Sequence, residues 1–242
     1  VQEKERLFDE TVEQERRKWR SIADLWTATY FGLELAPELY NACVQYVQGR
    51  PVLLQAAQAE DVLDQAHEIW EGKRFFHWEI EFPEVFFDEH GRHKGDAAGF
   101  DAVIGNPPWG AEYLSEEKSY YRERFADVVV RMVDSFMFFI KRGAELTKCE
   151  GLESLIVPNT FLTQVDVLKL REFVLREMRL DTVLNLGDGV FGYEVTTPCC
   201  VFVLKNKPSI NATDAAVQLV DLRRFSPKEK ESRVTKDDLP YF

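Results

Sequence analysis

The sequence predicts an α/β fold behind a helical region, and three observations predict it. Residues 1–73 carry apolar side chains at helical spacing. Residues 100–207 alternate short apolar runs with amphipathic ones, in the order β-α-β-α-β-β. Hydrophobic residues make up 45% of the 242, enough for a packed core.

In the first region, Phe8, Val12, Trp19, Ile22 and Trp26 step by four, seven, three and four, which draws one apolar seam with charges elsewhere. Pro37 fits a first helical turn, and "PELYNACVQYVQG" follows it to Gly49. Pro51 can open a third helix that runs to Gly72. The seam spans too few heptads for a coiled coil, so a packed helical hairpin or small bundle is expected. A docking site for a partner helix is the alternative.

The second region opens on "RFFHWEIEFPEVFF" (74–87), which is aromatic and β-prone, with a break at Pro83. Glu79, Glu81 and Glu84 alternate with its aromatics, as on a strand with one wet face, and that explains them more simply than paired catalytic acids. A polar, Gly-rich loop follows. It holds Asp88, His90, His93 and Asp96 and is read as a loop, with no metal predicted. "FDAVIG" (100–105) reads as a buried strand, 128–148 as a helix with Asp134 and Ser135 inside it, and 152–158 as a strand stopped by Pro158. An amphipathic helix (165–178), a strand "DTVLNLG" and a strand "CCVFVLKNK" (199–207) complete a largely parallel sheet with a final antiparallel hairpin partner. The tail beyond residue 208 is charged and loop-like around one possible strand, "AVQLVDL".

Composition excludes several classes. The net charge of −12 opposes a surface that grips phosphates unaided, so this chain is expected to bind DNA only weakly by itself. No apolar run approaches the roughly 18 residues of a membrane helix and no signal peptide is visible, which predicts a cytoplasmic protein with no membrane partner. The four cysteines match neither a zinc site nor a disulfide framework.

The stretch "FDAVIGNPPWG" (100–110) carries the chemistry. In an open α/β sheet, ligands bind just past the carboxyl ends of strands, and residues 106–109 follow such an end. Pro107 and Pro108 fix the backbone and remove two N–H donors, so the loop is stiff and offers carbonyls without competing donors. Asn106 adds a side-chain acceptor and Trp109 a flat apolar face. Two acceptors beside a stacking ring suit a planar group bearing an NH₂, such as adenine. Hydrogen bonds from that amine to the Asn106 side chain and the Pro107 carbonyl would pull its nitrogen toward tetrahedral geometry and free the lone pair for attack on a methyl group. The base must first leave the duplex.

This stretch resembles the Asp/Asn/Ser-Pro-Pro-aromatic motif of amino-group N-methyltransferases. "FFHWEIEFPEVF", "GFDAVIGNPPW", "DSFMFFIKRGAEL", "GLESLIVPNTFL" and "LREFVLREMRLDTVLNLGDGVFGYEVTTPCCVFVLKN" resemble, in order and spacing, the large adenine-N6 DNA methyltransferases of type II restriction–modification and phage-defence systems. "ADLWTATYF" is similar to their helical insertion, so the resemblance covers roughly residues 20–207. It implies the second half of a class I methyltransferase (Rossmann-like) sheet with an N-terminal helical insertion. It implies a helical part at 1–73, a catalytic half at 74–207, and a charged linker or the start of a next domain at 208–242. By the same resemblance, Asn106 and Pro107 bind the target amine, Trp109 stacks on the flipped base, Pro108 lines the substrate site, and Phe191 packs against the base's other side.

Such enzymes bind S-adenosylmethionine through a Gly-rich turn after a first strand and an acid after a second, and neither precedes Asn106 here. "GDGVFG" (187–192) fits G-x-G-x-x-G, but strand-like "YEVTTPCCVFVL" follows where a phosphate site needs a helix start. The chain is therefore expected to be an internal piece, inactive alone, whose cofactor half lies upstream. The edge at Ala102–Gly105 would then be left open and prone to self-association. An RNA-base or protein-glutamine N-methyltransferase shares the same amine-binding loop, and a catalytically silent interaction module is the rival from a different class.

Overall fold

The computed structural model describes residues 2–52, 56–192, 196–207 and 216–235, with side chains described from residue 11 onward. They form two compact units, which divide between Glu89 and His90.

The first unit is helical, as its periodicity predicts. It comprises α1 (Gln2–Ala28), α2 (Pro37–Val47), α3 (Ala56–Lys73) and two single turns, α4 (Trp78–Glu81) and α5 (Pro83–Phe86). Pro37 occupies the first turn of α2, and Gly49, with φ of 70°, ends it in the left-handed region. Pro51 does not open α3, which begins at Ala56. Residues 53–55 lie outside the described residues.

The apolar seam of α1 is not its packing face. Trp19 and Trp26 are 55% and 53% exposed, and Val12 is exposed as well. Phe8 lies outside the residues whose side chains are described. The buried positions are Leu25 and Ala28, packed with Cys43, Ala59, Val62 and Ala66. Small residues on both sides let the helices approach closely there, which the Trp-lined stripe does not allow. Asp24 is buried on the same face and pairs with His77 Nε2 at 2.8 Å.

The expected strand over 74–87 is instead the pair of single turns. Pro83 starts α5 rather than breaking a strand, as suits a residue without an N–H. Trp78 and Phe82 stack at 5.9 Å within this segment. Glu79, Glu81 and Glu84 are thus helical residues, and Glu81 pairs with Arg20 at 2.8 Å.

The second unit holds a five-stranded sheet, in chain order β1 (Phe100–Gly105), α6 (Ser115–Arg124), α7 (Ser135–Leu146), β2 (Thr147–Pro158), α8 (Thr160–Thr163), α9 (Leu168–Glu177), β3 (Arg179–Gly187), β4 (Cys199–Lys205), β5 (Gln218–Asp221) and α10 (Pro227–Thr235). The spatial order is β1-β2-β4-β3-β5. β1 and β2 are parallel, β3 and β5 are parallel, and β4 is antiparallel to both β2 and β3. Four strands therefore share one direction, and the hairpin strand β4 is slotted between two of them.

One face of the sheet carries the core. Leu155, Val157, Phe202, Leu204 and Val183 from the strands meet Phe136, Ile140 and Ala144 of α7 and Leu170, Phe173 and Val174 of α9. The alternation along β2 and β4 puts every second residue into this layer.

Three expectations need correction here. The helix over 128–148 begins only at Ser135, because Asp134 takes extended backbone (φ −128°, ψ 138°) as its N-cap. β1 is not buried: it is an edge strand paired only with β2 among the described residues, and Ile104 is 82% exposed. The tail is not merely a charged loop, since "AVQLVDL" contributes β5 and "PKEKESRVT" forms α10. Ser226 immediately precedes α10, and its N–H and Oγ–H both donate to Glu229 Oε2 at 2.8 and 2.6 Å.

Candidate functional site

β1 delivers Asn106 to the carboxyl end of the sheet, and the two prolines then turn the chain. Asn106 is exposed, and its side chain has no hydrogen-bond partner among the described residues. Pro107 is buried while Pro108 is exposed. Ring closure fixes both φ angles, so the loop loses little entropy when held in one shape.

Three bonds pin this loop to the body of the unit. The Trp109 indole Nε1–H donates to the Ile156 carbonyl on β2 at 3.2 Å. Ser135 Oγ donates to the Pro108 carbonyl at 2.5 Å. The Gly110 N–H donates to Asp134 Oδ1 at 3.1 Å. The Pro108 carbonyl is therefore committed to Ser135 and is not a free acceptor, whereas Asn106 and the Pro107 carbonyl remain uncommitted. Tyr113 packs behind the loop beside Ser135, and burial pushes its phenol up.

Trp109 is half-buried against the core of the unit. Its N–H, held by β2, tethers the ring to the sheet. Phe191, 41% exposed, meets that ring edge-to-face at 5.5 Å and 73°. The structure thus brings together Asn106, Pro107, Trp109 and Phe191, although Phe191 lies more than eighty residues away in the chain. A flat base between two parallel rings needs about 7 Å of separation, twice a carbon–carbon contact. At 5.5 Å and 73°, the Trp109 and Phe191 rings are neither parallel nor that far apart in this structure.

Asp134 and Ser135 are the residues that sequence reasoning missed. The signal was present: a short polar pair directly before an apolar run is an N-terminal cap pattern, and it places both side chains at the start of α7 facing the loop.

Among the described residues, no group of three or more His, Cys, Asp or Glu gathers to hold a metal. His93 Nδ1 accepts the Gly95 N–H at 3.1 Å within its loop. The G-x-G-x-x-G run, Gly187 to Gly192, carries all three glycines at positive φ and leads through a turn toward β4. Residues 193–195 lie outside the described residues, and 196–198 are extended coil. The described residues thus hold an exposed amide beside a tethered indole, and the G-x-G-x-x-G run is followed by no helix start among them.

A family model for the Eco57I restriction-modification methylase matches residues 24–191, which include the helical region, the Asn106–Trp109 loop and Phe191. The chain belongs to the Eco57I methylase family. A protein of Methanocaldococcus jannaschii described as a type II restriction enzyme and methyltransferase is 30% identical over 165 residues, 68% of this chain and 12% of that protein. The type II methyltransferase M.BstVI of Geobacillus stearothermophilus is 29% identical over 115 residues, 46% of this chain and 20% of that protein. This Eco57I-family chain therefore spans a small part of the length of the curated relatives it matches. Among solved structures, a class I S-adenosylmethionine-dependent methyltransferase of Listeria monocytogenes aligns with a TM-score of 0.43 at 18% identity, over 57% of this chain and 42% of that one. No helix among the described residues of the Eco57I-family chain is long and apolar enough to cross a membrane.

Proposed function

We propose that this chain is the amine-binding half of a DNA methyltransferase that transfers a methyl group from S-adenosylmethionine to the N6 amine of adenine in a restriction–modification or phage-defence system. The observation that carries the proposal is the pairing of an exposed, unpartnered Asn106 amide with a Trp109 ring tethered to the sheet at Ile156. Family membership supports the reaction class.

The residues act as follows. The Asn106 side-chain carbonyl and the Pro107 carbonyl each accept one N–H of the amine. Both acceptors lie on one side of the nitrogen, so the amine pyramidalises and its lone pair leaves conjugation with the ring. Trp109 holds the flipped base by stacking, a contribution of about 1–3 kcal/mol, and Phe191 closes on the other face. Pro108 serves indirectly: its carbonyl, held by Ser135, fixes the height of the loop. When bound, S-adenosylmethionine would supply the methyl group. Asn106 is exposed, so the proton shed by the methylated amine has direct access to water. DNA is the partner, gripped by basic surfaces outside this acidic chain.

The test is methyl transfer by the full-length protein that carries these residues. Unmethylated DNA is incubated with tritiated S-adenosylmethionine and digested to nucleosides. Wild type is expected to yield N6-methyldeoxyadenosine, and Asn106→Ala none, with cofactor binding retained. Label appearing instead in RNA or in a protein glutamine would overturn the substrate, and an active Asn106→Ala would overturn the mechanism.

A further inference from the structure

We propose that the segment Leu222–Thr235 is a strap that positions the turn carrying Phe191, with Lys230 as its fastening. The inference rests on the reading of Phe191 as one wall of the base pocket, and it assigns work to a part of the chain beyond the matched family region, which ends at residue 191.

The contacts run along the whole turn. At its base, the Leu222 N–H donates to the Asn185 carbonyl at 2.9 Å, just beyond the register pair Asn185–Asp221. Gly187 lies over Arg223: a Cβ there would meet Arg223 Cγ at 3.0 Å and its Cα at 3.3 Å. With φ of 67° as well, this position excludes any larger residue on two counts. Gly189 lies over Pro227, 3.5 Å from where its Cβ would stand. Between the two glycines, the Lys230 ammonium donates to the Asp188 carbonyl at 2.8 Å.

Lys230 is only 6% exposed, and this carbonyl is the sole hydrogen-bond partner of its ammonium among the described residues. A buried ammonium loses water on all sides, and a residue chosen only to pack would be apolar. Its single bond goes to a backbone carbonyl three residues before Phe191, so the charge is used to fix the turn rather than to neutralise an acid. The helix that carries it is itself stiffened: the Ser226 N–H and Oγ–H both donate to the Glu229 carboxylate, and the Arg233 guanidinium lies 4.1 Å over the Phe225 ring. Lys230 is a positioning residue. It acts on the site through the turn and touches neither Trp109 nor the amine-binding loop.

The chain labelled with 4-fluorophenylalanine tests this by ¹⁹F NMR. The Phe191 signal is assigned by its disappearance in Phe191→Leu, and the Trp109 ring current shifts it from the free amino acid position. Lys230→Met is expected to move that signal toward the free position and narrow it, while Lys230→Arg, which keeps a cationic donor, leaves it near the wild-type position. Circular dichroism confirms that each variant is folded. Should Lys230→Met not fold, Lys230→Gln is the milder cut with the same two outcomes. A wild-type Phe191 signal in the folded Met or Gln variant would overturn the strap. So would a signal displaced equally by Arg and Met, because rescue by a donor is what separates fastening from packing. Failure of the wild-type full-length protein to methylate DNA would remove the pocket reading, while the NMR result would still decide the strap.

Discussion

Glu153 gives the sharpest stability prediction. It lies in the middle of β2, opposite Val103 on β1 and Leu204 on β4, with 0% exposure. Neither carboxyl oxygen has a hydrogen-bond partner among the described residues. The carboxyl fits only because α7 has Gly143 above it, where a Cβ would collide with Glu153 Oε1. Burial therefore pushes the Glu153 carboxyl well above the usual range. Glu153→Met keeps the unbranched length and removes the orphaned polar atoms, so it is expected to stabilise by about 1–3 kcal/mol, or about 2–10 °C in Tm for a domain of this size. The sign of the pH dependence follows from linkage. A raised carboxyl binds its proton in the folded state after the unfolded chain has released it. Wild-type stability is therefore full below the ordinary carboxylate value and falls as pH rises toward the folded value, by about 1.4 kcal/mol per pH unit. The Met variant has no such slope. Thermal melts of both proteins at pH 5, 6, 7 and 8 should show a gap that widens with pH. A constant gap, or a less stable Met variant, would refute the assignment of Glu153 as an unpaired buried acid.

Three further outcomes follow from the geometry. Trp109→Phe keeps a stacking face but loses the bond to Ile156, so methyl transfer should persist with weaker substrate binding, by about 0.5–1.5 kcal/mol, read as a raised KM for DNA in the full-length protein. The open edge of β1 should drive self-association of the chain, and Ile104→Lys should shift it toward monomer in sedimentation velocity, since a charge on an exposed edge blocks strand pairing. Hydrogen bonds from Lys205 and Lys207 hold the Glu150 carboxyl down at about 2, so a carboxyl-detected NMR titration should find it ionised throughout the mild acid range. Its contribution is present above the ordinary carboxylate value and is lost only as pH falls toward about 2, and replacing either lysine by alanine should raise it.

What the sequence made legible depended on whether a signal was local. β2, β3, β4 and α9 were read correctly because each is a run of one period bounded by a Pro, a Gly or a cap. The end of β1 was legible for the same reason, since two adjacent prolines directly after an apolar run stop a strand. The antiparallel slot of β4 between β2 and β3 was not, since pairing partners are set by tertiary packing and leave no mark within a strand. Period alone misled at α1, where Trp19 and Trp26 draw a seam but Leu25 and Ala28 pack, because closeness of approach outweighs side-chain size at a helix contact. Aromatic content misled at 74–87, where β-propensity was overridden by a proline placed to begin a helical turn. The Ser226-x-x-Glu229 spacing that starts α10 was in plain view, and the surrounding charge hid it.

The two aromatic walls of the site differ in how they are built, and that difference bears on base capture. Trp109 sits on a loop with two fixed φ angles and three hydrogen bonds to the sheet and α7, so its ring cannot follow an incoming base. Phe191 sits between Gly189 and Gly192, both at positive φ, beyond the last point that Lys230 fastens. Under the proposed function, a base entering beside Trp109 would separate two rings that now meet at 5.5 Å to the roughly 7 Å of a stacked sandwich, a displacement of about 1.5 Å. Trp109 is tethered by its loop, so that movement would fall to Phe191, beyond the Lys230–Asp188 bond, and Asn106 would keep its place.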